Sequence, residues 1–350
     1  MKQFLPTFLK WRYELYVAEY VDLYGSLGFF VKQFFARRKL IKKPKVAYIY
    51  ANKGNVGDYI SFLGIRQLID VEGLELFCTP VWEKQLAEYI KRIKQRNPEC
   101  VLMIGGGGLL QPVFESFWQL VLTSKLPFVC MGIGINKMPG RGELSNELLK
   151  EIATKAQHIG VRDTYTHNYL TNLSNKPVYL GICPSVNYVN RYYWNNEPSS
   201  RSVLLHMYHP SDLRLAGADL QLITEVLKHV SKALNLEYQE HSNMSSDHEK
   251  MLATVSQARV VVSSRLHGCI MSFASGTPFL PLYCDEKIKA FNDTHTHVVG
   301  VEATVMHDEA AALKNVKRIL ASFDNQQPLI KQKTAQNADW AEHIKTIIPL

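Results

Sequence analysis

The sequence contains no hydrophobic run long enough to cross a bilayer, and its start is not typical of a secreted protein. No stretch of 18 consecutive apolar residues occurs in the 350 residues, whereas a membrane-spanning helix needs about 20. Met1 and Lys2 lead into a tyrosine-rich stretch that has neither the apolar core nor the cleavage site of a signal peptide. We therefore expect a cytoplasmic protein without a transmembrane segment.

Cysteine is scarce and unpatterned, and several well-known catalytic motifs are missing. The six cysteines form no C-x-x-C pair and no metal-binding spacing. Most of them lie in apolar runs, which is typical of buried, reduced thiols. The chain also lacks an H-E-x-x-H helix, a Walker A loop, a G-x-G-x-x-G fingerprint and a nucleophile elbow. No pattern in the sequence predicts a metal site.

Charge is nearly balanced over most of the chain. The formal net charge is +8, but residues 1–45 hold ten lysine and arginine residues against three acidic ones. The remainder is almost neutral, whereas binding to a nucleic-acid backbone needs a basic face. We therefore expect no nucleic-acid partner. The length of 350 residues is long for one α/β core and favours two domains.

Residues 1–44 differ in composition from the rest. Aromatic side chains recur there at roughly helical spacing, basic residues cluster at positions 37–43, and Gly25 and Gly28 predict a break into two helices. Helices that combine aromatic and basic residues lie at membrane surfaces. Such helices can also pack on the protein's own core or on a partner subunit. The sequence leaves both possibilities open.

From residue 45 onward, short apolar runs alternate with helical patterns, which is typical of doubly wound parallel sheets. A polar, turn-rich stretch at 193–200 interrupts this alternation and is interpreted as a linker. The sequence thus predicts an α/β protein with two Rossmann-like domains that face a cleft, similar to the GT-B glycosyltransferase arrangement. The expected units are an N-terminal aromatic and basic helical segment (1–44), a first domain (45–195), a second domain (200–328), and a C-terminal helix that crosses back to the first domain (329–350).

The most informative stretch is residues 263–268, between an apolar strand at 258–262 and a small-residue helix at 268–276. It contains Arg265 and His267. In open α/β sheets, ligands bind at the carboxyl ends of the strands, and a cation beside a helix N-terminus suits phosphate or carboxylate. The alternative is that Arg265 caps a neighbouring helix and that His267 is a core histidine with satisfied hydrogen bonds.

Two glycine-containing turns follow other predicted strands. In residues 52–58, Gly54 and Gly57 permit a tight turn and close approach of a ligand, and Asp58 either faces that ligand or only caps the following helix. Residues 105–108 are four consecutive glycines, directly after a strand predicted at 100–104. Their bare backbone would admit a substrate or a facing loop.

Cationic side chains are expected at two more strand ends. Arg162 follows the strand at 158–161 and would point toward the cleft, with Asp163 capping the next helix. The alternative is a structural Arg162–Asp163 pair. His206 and His209 flank the first strand of the second domain and could face the same cleft.

Together these motifs resemble the polysaccharide pyruvyl transferase family. The resemblance rests on residues 54–58 (Gly-Asn-Val-Gly-Asp), 105–108, 161–163 (Val-Arg-Asp), 264–268 (Ser-Arg-Leu-His-Gly), 276–278 (Gly-Thr-Pro) and 284–287 (Cys-Asp-Glu-Lys). It covers about residues 45–300, while the first forty residues match nothing in the family core. The last motif departs from the Tyr-Asp-Pro-Lys that is frequent in the family, although Asp285 and Lys287 remain.

The resemblance implies a GT-B-like fold and transfer of a pyruvyl group from phosphoenolpyruvate to a sugar as a ketal, with release of phosphate and without a metal or cofactor. The second domain would bind the donor and the first the acceptor. Arg162 and Arg265 would clamp the donor, His267 would bind phosphate or donate a proton, and Asp58 would orient or deprotonate a sugar hydroxyl. The implied catalytic residues are Asp58, Arg265 and His267. The donor-binding positions that match the family are Asp58, Arg162, Arg265, Leu266 and His267. The full set of substrate-binding residues that we predict is Asn55, Gly57, Gly106, Gly107, Gly108, Arg162, His206, His209, Ser264, Leu266, Gly268, Asp285 and Lys287, with His206 and His209 as alternatives to Asp58 in its role.

Two other functions fit the sequence. A GT-B glycosyltransferase would need a carboxylate for the ribose of a nucleotide sugar, and Asp285 or Glu286 would supply one. A carbohydrate-binding member of an envelope-assembly complex would need no catalysis. If residues 1–44 lie on a membrane, the acceptor is expected to be lipid-linked, and the protein is expected to lie on the inner face of the cytoplasmic membrane.

Overall fold

The computed structural model describes residues 43–135, 143–194, 201–242, 247–323 and 326–349. The predicted N-terminal helical segment therefore lies outside the described residues, apart from its last two positions, and the predicted linker is described only as far as Trp194. Within the described ranges, no helix combines the length and the apolar character needed to cross a membrane. The domain boundaries stay a prediction.

The first half of the chain forms a six-stranded sheet. Its strands are β1 (Val46–Tyr50), β2 (Gly73–Phe77), β3 (Val101–Leu110), β4 (Phe128–Ile135), β5 (His158–Val161) and β6 (Val178–Leu180). Its helices are α1 (Val56–Ile69), α2 (Glu83–Arg96), α3 (Glu115–Ser124), α4 (Asn146–Lys155), α5 (Thr164–Leu173) and α6 (Ser185–Tyr193). The strands are all parallel, in the order β2-β1-β3-β4-β5-β6.

The second half forms a five-stranded sheet. Its strands are β7 (Val203–Met207), β8 (Glu237–His241), β9 (Val260–Ser263), β10 (Phe279–Tyr283) and β11 (Val301–Glu302). Its helices are α7 (Pro210–Leu215), α8 (Leu220–Ala233), α9 (His248–Gln257), α10 (Leu266–Ser275), α11 (Glu286–Phe291), which continues into a π-helical turn (Asn292–Thr296), and α12 (Glu309–Ser322). The order is β11-β10-β9-β7-β8, again all parallel.

Both sheets are buried on both faces, which explains why their central strands are continuous apolar runs. In β1, Ala47 and Ile49 join one core cluster, whereas Val46, Tyr48 and Tyr50 join another on the opposite face. Successive side chains of a strand point to opposite faces, so one run of five buried residues contributes to two hydrophobic layers.

The glycine run differs from the prediction. It does not follow the strand but lies inside it, because β3 continues to Leu110. Gly106 and Gly107 have positive φ angles of 79° and 109°, and the register with β4 shifts between Gly107 and Leu110. Only glycine adopts such angles without strain, so a bulge is possible here without ending the strand.

A final helix, α13 (Gln327–Lys345), returns to the first sheet. Trp340 stacks on Tyr179 with ring centroids 4.6 Å apart, and its ring covers Gly160, where a Cβ atom would lie 2.2 Å from it. Asn337 accepts a hydrogen bond from the Ile182 N–H and donates one to the Ile182 carbonyl. Helix α13 therefore closes one face of the first core.

Each sheet reverses its strand order once, between β1 and β3 in the first and between β7 and β9 in the second. Loops that leave the carboxyl ends of such neighbouring strands diverge and open a crevice. The predicted α/β fold with two parallel, Rossmann-like sheets is confirmed. In the first sheet the crevice lies between the turn at 51–55 and the carboxyl-terminal part of β3, which contains the glycines 105–108. In the second sheet it lies between the turns at 208–209 and 264–265.

Candidate functional site

Arg162 is a buried cation at the end of β5. It is 2% exposed, and its Nε and Nη1 atoms have no hydrogen-bond partner within the described part of the chain. Asp163 caps α5 by accepting a 2.7 Å hydrogen bond from the Thr166 N–H, and its other oxygen lies 3.8 Å from Arg162 Nε. That distance is too long for a hydrogen bond. A buried, incompletely paired guanidinium costs several kcal/mol, so the arrangement indicates a site for an anion.

The backbone of Arg162 is held by the second half of the chain. Its carbonyl accepts a 2.8 Å hydrogen bond from His295 Nε2, in the π-helical turn. Burial lowers the pKa of His295 to about 4, so this imidazole is neutral and carries its proton on Nε2. Next to it, the hydroxyls of Thr164 and Thr294 lie 2.9 Å apart. These contacts place the end of β5 directly against the second sheet's helices.

Arg265 occupies the turn between β9 and α10. Its Nη1 atom donates a 2.6 Å hydrogen bond to Asp212 Oδ2, in the first turn of α7. Asp212 is itself buried, at 4% exposure. Within the described residues, Arg265 therefore pairs with a side chain of the neighbouring helix α7 rather than with a backbone carbonyl at a helix end. His209 lies beside this pair, with Nδ1 2.7 Å from Ser211 Oγ and 3.8 Å from Asp212 Oδ1.

Lys287 adds a third cation at the start of α11. Its Nζ atom lies 2.7 Å from Asp285 Oδ2, while Asp285 Oδ1 caps the helix by accepting from the Ile288 N–H at 3.1 Å. Asp285 therefore has a structural role at this helix start, in addition to any role with a ligand.

The remaining predicted residues of the 264–268 motif are buried. Leu266 joins a core cluster. Gly268 leaves room for Ser263, whose Oγ would lie 2.1 Å from a Cβ atom at position 268. Ser264 Oγ is buried without a hydrogen-bond partner among the described residues. Of these three, only Ser264 therefore has an unused polar atom.

Asp58 lies in the first turn of α1 and faces the glycine bulge. A Cβ atom on Gly107 would lie 2.3 Å from Asp58 Oδ1, so the glycines accommodate this helix and its carboxyl group. The helix is capped by Asn55, which accepts from the Gly57 N–H at 3.1 Å, and the idea that Asp58 only caps α1 is wrong. Burial raises the pKa of Asp58 to about 7, although the charges of Arg162, Arg265 and Lys287 oppose this increase.

His267 lies in the first turn of α10 and packs against α1. A Cβ atom on Gly57 would lie 2.0 Å from His267 Nδ1, so Gly57 makes this close packing possible. Its Nε2 atom lies 3.3 Å from Ser61 Oγ. Burial lowers the pKa of His267 well below its ordinary value, and the same three cations lower it further. The ring is therefore neutral near pH 7.

The structure brings five predicted residues into one electrostatic group. Asp58 and Arg162 come from the first sheet, and Arg265, His267 and Lys287 come from the second. The charges of Arg162, Arg265 and Lys287 act on both Asp58 and His267. The group thus combines three cations with a carboxyl group that is half ionised near pH 7 and a neutral imidazole. Such a site can bind a multiply charged anion and can move protons.

His206 is placed elsewhere. It has no exposed surface, its Nδ1 atom lies 3.2 Å from the Tyr238 hydroxyl, and its ring packs against Tyr208. Burial lowers its pKa to about 3. Its described contacts are thus within the second sheet. Over the described ranges, no three His, Cys, Asp or Glu side chains gather closely enough to hold a metal ion.

Sequence reasoning missed Ser61, Cys183, Asp212 and His295. Each contacts a predicted residue or its backbone, but none lies in a recognisable motif. Their partners lie 53 to 206 residues away in sequence. The sequence contained a weak signal for Ser61 alone, because it lies one helical turn after Gly57 and therefore on the same face of the predicted helix.

Several solved structures with similar folds are UDP-GlcNAc 2-epimerases. The enzyme from Methanocaldococcus jannaschii, solved with UDP-GlcNAc and UDP, has a TM-score of 0.58 at 10% identity, over 86% of this chain and 99% of that one. The enzyme from Neisseria meningitidis, bound to UDP-GlcNAc, has a TM-score of 0.51 at 10% identity, over 86% and 98%. At such low identity these similarities show the fold alone, which is GT-B-like.

Comparison of the sequence with known families gives a more specific result. No curated protein matches the chain. The family model for polysaccharide pyruvyl transferases, however, matches residues 20–286, more than half of the chain. The match begins within the first forty residues, so the expectation that they lie entirely outside the family core is wrong from residue 20 onward. The chain belongs to the polysaccharide pyruvyl transferase family and is a transferase.

Proposed function

We propose that this protein transfers the pyruvyl group of phosphoenolpyruvate to two hydroxyl groups of a sugar, forming a ketal and releasing phosphate. The observation that carries this proposal is Arg162, a buried guanidinium whose Nε and Nη1 atoms have no hydrogen-bond partner within the described part of the chain. Planar guanidinium groups bind carboxylate and phosphate oxygens in pairs. An anionic substrate would accept hydrogen bonds from these two Arg162 atoms.

The charge of the group matches that of the donor. Phosphoenolpyruvate carries a phosphate and a carboxylate, and Arg162, Arg265 and Lys287 supply three cations that act on the same site. Arg265 is oriented by Asp212 and Lys287 lies beside Asp285. The Asp163 oxygen near Arg162 Nε, in contrast, is 3.8 Å away, beyond hydrogen-bond distance. We assign the donor phosphate to the Arg265 and Lys287 side and the donor carboxylate to Arg162.

Asp58 is the best candidate for the general acid. Its pKa of about 7 leaves a substantial protonated fraction at neutral pH, and a bound anion would raise that pKa further. In the proposed reaction, Asp58 gives its proton to C3 of the enol, which makes a methyl group and leaves positive charge at C2. A sugar hydroxyl then attacks C2. General acid–base catalysis of this kind contributes roughly 10² to 10⁴ in rate.

His267 would complete the cycle. Its neutral ring accepts the proton of the first sugar hydroxyl and passes it to the phosphate as the C2–O bond to phosphate breaks. The second hydroxyl then attacks C2 and gives its proton to the Asp58 carboxylate. Both residues thus return to their starting states, and one proton from each hydroxyl is accounted for.

A lipid-linked acceptor at the cytoplasmic face of a membrane is part of the proposal. It rests on the aromatic and basic composition of residues 1–44. Because the family match begins at residue 20, deleting the whole segment would also remove part of the family region. Replacing the five basic residues between positions 37 and 43 by glutamine is the cleaner test. Binding to anionic vesicles in a sedimentation assay should fall, and unchanged binding would support packing on protein instead.

The test of donor binding compares Arg162→Met with Arg92→Met, which removes an exposed arginine. Phosphoenolpyruvate at 100 times its Kd should stabilise the wild-type protein by about 2.7 kcal/mol, seen as a higher melting temperature. The Arg92 variant should respond in the same way and the Arg162 variant should not. Equal responses of all three proteins would refute the proposed donor site.

The assay of transfer is phosphate release from phosphoenolpyruvate with candidate lipid-linked sugars. Release that depends on the acceptor supports the proposal. Stabilisation by a nucleotide sugar but not by phosphoenolpyruvate would favour a GT-B glycosyltransferase. Binding of sugars without any turnover would favour a non-catalytic envelope-assembly protein.

A further inference from the structure

Three buried side chains from different segments of the chain meet on the Nε2 side of the His267 ring. Ser61 lies in α1, Cys183 lies two residues before α6, and His267 itself lies in α10. Ser61 Oγ is 3.3 Å from His267 Nε2 and 3.2 Å from Cys183 Sγ. Ser61 and Cys183 have no exposed surface. None of these contacts belongs to the anion site itself.

The hydrogen-bond polarity of this cluster follows from counting hydrogens. Ser61 Oγ lies 2.8 Å from the carbonyl oxygen of Gly57, which can only accept, so the hydroxyl hydrogen points there. Ser61 Oγ must then accept from its other two neighbours. Ser185 donates to Cys183 Sγ at 3.1 Å. The Cys183 S–H has two neighbours that could accept it, and we assign it to Ser61 Oγ at 3.2 Å rather than to His267 Nε2, which is farther away at 4.0 Å. His267 Nε2 must therefore carry a hydrogen and donate it to Ser61.

The opposite ring nitrogen of His267 lies over the first turn of α1. Its Nδ1 atom is the part of the ring closest to the position that a Cβ on Gly57 would occupy, at 2.0 Å. Asp58 is the next residue in the chain. In a neutral imidazole with Nε2 protonated, Nδ1 carries the lone pair. The basic nitrogen therefore lies on the side of the ring that faces Gly57 and the neighbouring Asp58.

We propose that Ser61 is a positioning residue that holds His267 as the neutral Nε2–H tautomer and so presents the Nδ1 lone pair to the acceptor hydroxyl. The tautomer follows from the contacts alone, whereas the use of Nδ1 as a base rests on the proposed function. The proton moves from the sugar oxygen to Nδ1, while Nε2 keeps its hydrogen on Ser61 throughout. Without Ser61, both tautomers become accessible. A fraction of the protein molecules then carries the lone pair on Nε2, which faces away from the acceptor hydroxyl.

The tautomer can be read directly from the long-range ¹H–¹⁵N spectrum of protein labelled with ¹⁵N-histidine. The signal of His267 is identified by its absence in His267→Gln. The wild-type protein between pH 6 and 8 should show a neutral ring with the hydrogen on Nε2. A hydrogen on Nδ1, or a doubly protonated ring, would overturn the inference without any Ser61 variant.

Ser61→Ala is then compared with Ser272→Ala. Ser272 is equally buried and also donates to the carbonyl four residues earlier, Gly268, at 2.8 Å, but among the described residues it has no hydrogen bond to a histidine. We expect a mixture of tautomers only in Ser61→Ala. Its kcat should fall about ten- to a hundredfold, by analogy with metal-bound histidines, where removal of the orienting hydrogen-bond partner has a cost of that size. The KM for phosphoenolpyruvate should change little.

The outcomes separate this inference from the proposed function. An unchanged tautomer in a folded Ser61→Ala overturns the role of Ser61. A changed tautomer with wild-type kcat confirms that Ser61 sets the tautomer and refutes the role of Nδ1 as the base. A changed tautomer with reduced kcat, together with wild-type behaviour of Ser272→Ala, supports both.

Discussion

Replacing Asp58 with asparagine should stabilise the fold and at the same time abolish transfer. Asparagine has the shape of the protonated carboxyl group but never ionises. The structure places this carboxyl group in a buried position with 7% exposure, and burial outweighs the attraction of three cations. The ionised form of Asp58 is therefore less stable in the folded protein than in water.

The magnitude and the sign follow from the two pKa values. In the unfolded chain the carboxyl group ionises near its ordinary pKa of 3.8, whereas in the folded protein it does so at about 7. Between these values the folded state binds more protons, so stability falls as the pH rises through this window. At about 1.4 kcal/mol per pKa unit, the cost reaches about 4 kcal/mol above pH 7 and is about 2 kcal/mol at pH 5.

Urea unfolding at pH 5, 6, 7 and 8 tests this reasoning. The advantage of Asp58→Asn over the wild-type protein should grow with pH and level off above pH 7. Asp339→Asn, which changes an exposed aspartate of α13, should show no such trend. An Asp58→Asn variant that is less stable than the wild type at pH 8, or whose advantage is the same at every pH, would refute the buried-carboxylate argument. Phosphate release should fall at least about 100-fold.

Three further outcomes are expected. Gly107→Ala should lose at least about 2 kcal/mol of stability in urea unfolding, because its φ of 109° is strained for alanine and the new methyl group meets Asp58. Gly217→Ala, with φ of 72° and open space, should show the smaller backbone effect, and equal losses would argue against the Asp58 contact. Asp212→Asn should lose about 3 kcal/mol, because it leaves Arg265 without its carboxylate; an unchanged unfolding midpoint would contradict this. Phosphoenolpyruvate binding at pH 7 should take up protons, because the anion raises the Asp58 pKa, and titration calorimetry in buffers of different ionisation enthalpy measures this uptake.

The layered α/β architecture was predictable because its signals are local. The first strand, five buried residues at positions 46–50, and the first strand of the second sheet at 203–207 are apolar runs bounded by polar turns. Each predicted strand-to-helix turn carries its side chains to the carboxyl edge of a parallel sheet, whatever the strand order. For that reason Asp58, Arg162 and Arg265 could be singled out before any strand pairing was known.

Other elements gave too weak a signal. Strands β6 and β11 have three and two residues, and α7 and α11 have six each, so none spans enough residues for a periodic pattern to emerge. The extension of β3 through the glycine run was missed because glycine has low strand propensity. Its positive φ angles are stabilised by the packing of α1, which is a tertiary contact.

The sequence by itself determined which residues reach the edges of the sheets and which family the motifs resemble. Tertiary structure alone decided how those residues are charged and oriented. No residue close to Asp58 in sequence raises its pKa to about 7, because the cause is burial against another segment of the chain. The His267–Ser61 contact joins positions 206 residues apart. Burial and hydrogen-bond polarity depend on which distant segments meet, and local sequence patterns carry no information about such meetings.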